Sequence, residues 1–102
     1  MTLDPTLFDG MEQAAAHADR EEPGWTDRAL GFLLVYGDLQ AEFISEDVAR
    51  WAHANGLPDP TDSRAWGAVF NRASRRGLIH KTGGFRAAVT SNGSPKPVWR
   101  KA

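Results

Sequence analysis

The sequence predicts an α+β fold, mainly helical and ending in a β-hairpin, and three observations predict it. Asp62–Gly77 places Trp66, Val69, Phe70 and Ala73 at helical spacing on one stripe, with a capping residue before and a glycine after. Directly behind it, Leu78-Ile79-His80-Lys81-Thr82 and Phe85-Arg86-Ala87-Ala88-Val89-Thr90 read as extended segments separated by Gly83-Gly84, a two-residue hairpin signal. Ahead of it lie shorter apolar-periodic segments divided by Gly and Pro breaks.

The 102 residues make one small domain, with four Trp, five Phe and one Tyr to fill a core. The absence of Cys excludes disulfides and thiolate metal sites. No apolar run approaches a membrane span, and Met1-Thr2-Leu3-Asp4-Pro5 lacks the layout of a signal peptide, so no membrane association and a cytoplasmic location are expected.

In order, residues 4–19 are expected to form a short helix starting at Asp4-Pro5. Leu7, Phe8, Met11, Ala14, Ala15 and Ala18 lie near one side, a face light enough to pack loosely or bind a neighbour. Glu21-Glu22-Pro23-Gly24 breaks the chain. Thr26 is placed to cap a helix over 27–36, with Ala29, Leu30, Leu33 and Tyr36 inward and Gly37-Asp38 ending it. Glu42-Phe43-Ile44 is a short extended piece. Ser45 is placed to cap a helix over 46–55, with Val48, Trp51 and Ala52 inward and Glu46 and Asp47 in the first turn. Asn55-Gly56 closes it, and Leu57-Pro58-Asp59-Pro60-Thr61 is a semi-rigid turn. The central helix covers Arg64–Arg76, capped by Asp62 or Ser63 and ended by a left-handed Gly77. After the hairpin, Ser91–Pro95 is a loop, and Lys96–Arg100 returns as a short extended piece with Val98 or Trp99 covering the sheet.

Charge is split along the chain. Residues 1–63 hold all 13 acids and only Arg20, Arg28 and Arg50, a net of −10. Residues 64–102 hold the other nine basic residues and no acid, a net of +9. A single-sign segment of this density attracts polyanions. On the central helix, Arg64, Ala68, Asn71, Arg72 and Arg75 recur opposite the apolar stripe. Arg64 and Asn71 suit guanine and adenine edges, and Ala68 allows close approach. Arg72, Arg75, Arg76, Lys81, Arg86 and Lys96 suit phosphates. The plainer alternative for each charge is a solvated surface residue, and Arg75 and Arg76 also suit the negative end of their helix.

The order helix, short strand, helix, turn, helix, hairpin over residues 26–90 resembles the winged helix-turn-helix family. Arg64-Ala65-Trp66-Gly67-Ala68-Val69-Phe70 and Arg75-Arg76-Gly77-Leu78-Ile79 match the passage from recognition helix to wing. One departure is the turn over 56–63, longer than that of a tight helix-turn-helix. The same passage, with Asp27-Arg28-Ala29 and Trp99-Arg100, also resembles small phage- and prophage-encoded proteins. The residues themselves give an acidic helix and linker over 1–23, and the first resemblance implies a winged-helix domain over 24–102. Helix 64–76 would then enter the major groove of double-stranded DNA, with a wing over 78–90 on the backbone. The second implies a regulatory or replication accessory role in a phage or mobile element.

Other function classes fare less well. His17, His53 and His80 lack metal-ligand spacing, and no nucleophile elbow, phosphate loop or paired-carboxylate motif occurs, so neither an enzyme nor a cofactor is expected. Protonated His80 would add to phosphate contact. The alternative is a protein-interaction module. Asp4, Asp9, Glu12, Asp19, Glu21 and Glu22 would meet a basic partner, or the N-terminal helix would form a two-fold homodimer. Trp25, Trp51 and Trp66 fall on core stripes. Trp99 and Phe85 are left open to a surface position, and two aromatics without a sheet platform are too few for single-strand stacking.

Overall fold

A computed structural model describes residues 5–88 and 93–102, with side chains from residue 9 onward. Four helices, α1 (Pro5–Glu21), α2 (Trp25–Leu39), α3 (Ser45–Ala54) and α4 (Arg64–Arg75), precede two antiparallel strands, β1 (Ile79–Ala87) and β2 (Pro95–Lys101). Phe43 adds a one-residue third strand. Its N–H donates to the Trp99 carbonyl at 3.0 Å, and the Trp99 N–H donates back at 2.8 Å. The expected α+β class with a hairpin and an extra N-terminal helix is therefore present. Leu7, Phe8 and the stretch 89–92, to which the sequence assigned inward positions, a strand end and a loop, lie outside the described side chains or residues.

An aromatic chain forms the centre. Phe32 meets Trp51 edge-on at 5.7 Å, Trp51 meets Tyr36, Tyr36 meets Phe43, Phe43 meets Phe70, and Phe70 meets Trp99. Edge-on packing sets the positive rim of one ring against the negative face of the next. The chain thus ties α2, α3, α4 and β2 to one core. Beside it, Trp25 and Trp66 meet at 5.3 Å, and the buried Trp25 indole donates to the Pro58 carbonyl at 2.8 Å.

α4 follows its sequence closely. Asp62 accepts from the Arg64 N–H at 2.9 Å, Trp66, Val69, Phe70 and Ala73 are buried, and Gly77 turns left-handed at φ +72°. Three helix ends differ from expectation. Thr26 does not cap α2. The helix begins at Trp25 behind a left-handed Gly24, and the Asp19 carboxylate of α1 accepts from both the Thr26 N–H and its hydroxyl, each at 2.9 Å. Gly37-Asp38 does not end α2, which runs on to Leu39. Gly37 instead makes room for the Lys101 stem, whose Cβ lies 3.2 Å from where a Gly37 side chain would begin. Ser45 is the first residue of α3 rather than its cap, and the Asp47 carboxylate accepts from the Ile44 N–H at 3.1 Å.

The hairpin is the largest correction. Gly83-Gly84 is not its turn. Residues 79–87 form one strand that pairs with 95–101, from Ile79↔Lys101 to Ala87↔Pro95, with a bulge between Lys81 and Phe85. Gly83, at φ +91°, supplies the bulge rather than a turn. This pairing wins because it carries Trp99 into the aromatic core and Val98 against Ile44 and Ala88. Val98 and Trp99, the residues expected to cover the sheet, are both buried, while Phe85 is 70 % exposed. The hairpin expected over 78–90 is accordingly replaced by one whose strands are 79–87 and 95–101.

Candidate nucleic-acid interface

The predicted contact residues separate into two groups, because α1 does not pack loosely. It lies antiparallel along α4: Glu21 accepts from Thr61 at 2.7 Å near the start of α4, and Glu12 meets Arg72 near its end. Small residues allow the close approach. Ala14, Ala15 and Ala18 of α1 and Ala65 and Ala68 of α4 are buried, and Met11 fills the space over Gly67.

The face that α1 covers is the one the sequence assigned to DNA. Ala68 is fully buried, so its small size admits α1 rather than a base edge. The Arg72 guanidinium donates to Glu12 at 2.6 Å, and Arg75 lies 3.8 Å from the same carboxylate. Asn71 stands at the boundary of the two groups: its amide donates to the Met11 sulfur at 3.3 Å, and both residues also line the groove on the open side. Among the described side chains of α1, Ala14, Ala15 and Ala18 are buried within the chain.

The second group remains open. A groove of about 460 Å³ runs between α4, the start of α3 and the hairpin. Arg64 and Asn71 line it from α4, Lys81 from β1 and Lys96 from β2. Trp66, Phe70 and Trp99 form its floor, and the Lys81 ammonium sits 5.5 Å above the Trp99 ring. One carboxylate, Glu46, stands at the α3 edge and is paired with Arg50 at 3.4 Å.

Ion pairing further sorts the cations. Arg64 donates to Asp62 from Nε at 2.9 Å and from Nη2 at 2.6 Å. These bonds hold the Asp62 carboxyl below its ordinary range and raise the guanidinium above its own. Arg86 pairs with Asp47 and Lys101 with Asp38. Arg76, Lys81, Lys96 and Arg100 have no carboxylate partner among the described residues. Arg100, which pairs with His80 across the hairpin, was absent from the predicted contacts although Lys96 of the same extended piece was among them.

No group of three or more His, Asp or Glu among the described residues is arranged to hold a metal ion, and none of the described helices is long and apolar enough to cross a membrane. No protein-family model, curated protein or solved structure matches the chain.

Proposed function

We propose that the chain is a double-stranded DNA-binding protein of winged-helix type, which seats the duplex against the α4 groove and the hairpin. The observation that carries this reading is the convergence of Arg64, Asn71, Lys81 and Lys96, from three elements of the acid-free segment, on one groove. Lysines on adjacent strands suit successive phosphates, and Asn71 is the groove residue suited to an adenine edge. The order α2, Phe43, α3, α4, β1, β2, with Phe43 extending the hairpin, is the element order of a winged helix and supports the same reading. The function is binding rather than catalysis, and the phage regulatory or replication role is proposed on the resemblance alone. Fluorescence anisotropy of a labelled random-sequence duplex across a salt series tests it. Binding that weakens steeply with salt is expected; a folded protein that does not bind at low salt overturns it.

A protein-interaction module is the second reading, favoured by Val35 and Leu39, one turn apart on α2 and each at least half exposed. Loss of a partner in Val35→Ser/Leu39→Ser with DNA affinity unchanged would separate it from the first.

A further inference from the structure

We infer that Phe85 is an apolar wedge that enters the base stack of the bound duplex and bends it. This rests on the DNA-binding reading and goes beyond it, since the cations of the groove can hold phosphates without distorting the duplex.

Three features point to a wedge. The first is exposure. Every other aromatic residue with a described side chain takes part in the ring contacts of the core, whereas Phe85 is 70 % exposed. It stands on β1, the outer strand, because β2 pairs with both β1 and Phe43. A phenyl ring left in water on an edge strand forgoes burial and invites stray association, so the fold itself gives no reason for it.

The second is placement. Directly paired residues present their side chains on the same face of a sheet. Lys81 pairs with Trp99 and Phe85 with Pro97, and Lys81, Trp99 and Pro97 all line the groove. Phe85 therefore stands on the groove side of the hairpin, about 7 Å beyond Lys81, the length of two strand residues. Lys96, which follows on the next rung opposite Arg86, lines the groove as well. The ring is thus flanked by two lysines without a carboxylate partner among the described residues. A phosphate satisfies the lysines but not the ring. The large apolar surface a duplex offers is the face of a base, which a side chain reaches by opening a base step.

The third is the bulge. Between the Lys81 and Phe85 rungs, Thr82, Gly83 and Gly84 oppose Val98 alone. Gly83 takes φ +91°, and the Gly84 N–H donates to the Thr82 hydroxyl at 3.1 Å. A bulge bends its strand and re-aims the side chains beside it, and this one lies directly before Phe85.

The test uses the full chain, Phe85→Ala and Phe85→Leu with a short duplex carrying TA steps, which kink easily. Energy transfer between dyes on the two duplex ends reads the bend, and anisotropy across a salt series reads affinity. Circular dichroism confirms the fold of each variant, which an exposed ring can leave without unfolding the core.

The parent protein is expected to bend the duplex by about 20° or more. Phe85→Ala should lose the bend and bind about tenfold more weakly, the loss of one stacked ring. Its slope of log K against log salt should stay unchanged, because the ring neutralises no phosphate. Phe85→Leu should keep the bend, since leucine also serves as a wedge. A folded Phe85→Ala that binds and bends as the parent does overturns the wedge, leaves the DNA reading standing and gives the ring to a protein partner. A parent complex in which the duplex stays straight also overturns it. Absence of binding by the parent protein at low salt overturns both readings.

Discussion

Replacing Lys81 and Lys96 together by Gln removes two charges from the groove while keeping a flexible side chain with a hydrogen-bonding end. Four cations, Arg76, Lys81, Lys96 and Arg100, lack a carboxylate partner among the described residues, whereas Arg64, Arg72, Arg75 and Arg86 must each give one up to meet a phosphate. Each phosphate neutralised contributes about 0.9 to the slope of log K against log salt, so four give a slope of about −3.6. The double variant should lower the magnitude by about 1.8. At 0.1 M salt the same two contacts are worth about 10^1.8, so its affinity should be about 60-fold weaker. The assay is anisotropy of a labelled duplex across a salt series, with a thermal melt as control because Lys81 also covers the Trp99 ring. An unchanged slope in a folded variant refutes the placement of DNA in the groove.

Other consequences concern the frame that holds the groove. Phe43→Ala removes a fully buried ring from between Tyr36 and Phe70 and should cost about 3–5 kcal/mol by urea denaturation; a loss below about 1 kcal/mol would mean the aromatic chain is not the core. Gly77→Ala meets no atom within 4 Å, so its expected cost of about 1–2 kcal/mol is that of holding φ +72° with a side chain. Asp62 should titrate below an ordinary aspartate in an NMR pH series, because Arg64 bonds to its charged form. Since that folded value is lowered, the pair stabilises at neutral pH and its contribution fades as pH falls below about 4. Asp62→Asn should remove this part of the acid sensitivity; an unshifted midpoint in the parent protein counts against the pair.

Local physics was legible in the chain. Trp66, Val69, Phe70 and Ala73 announce a helix because period 3.6 places them on one side, and Gly77 ends it because a left-handed residue favours glycine. Gly83 was legible as a residue with φ > 0, but not as a bulge instead of a turn. Both uses need the same backbone freedom, and only the burial of Trp99 and Val98 chooses between them.

The same division holds for the candidate site. The sequence by itself determined that the chain has an acidic and a basic half, that α4 has an apolar and a basic side, and that the basic residues lie on one helix and a hairpin. Only the tertiary structure decided which of them face solvent. Helical periodicity says which residues share a face, not what covers it. Two faces lined with Ala and Gly pack closely whether the neighbour is DNA or another helix, and here α1 lies over Ala68 with Glu12 on Arg72. Strand partners lie far apart in sequence, so the meeting of Lys81 and Lys96 beside Arg64 and Asn71 followed from where Trp99 could be buried, a choice made by the whole core and by no single segment.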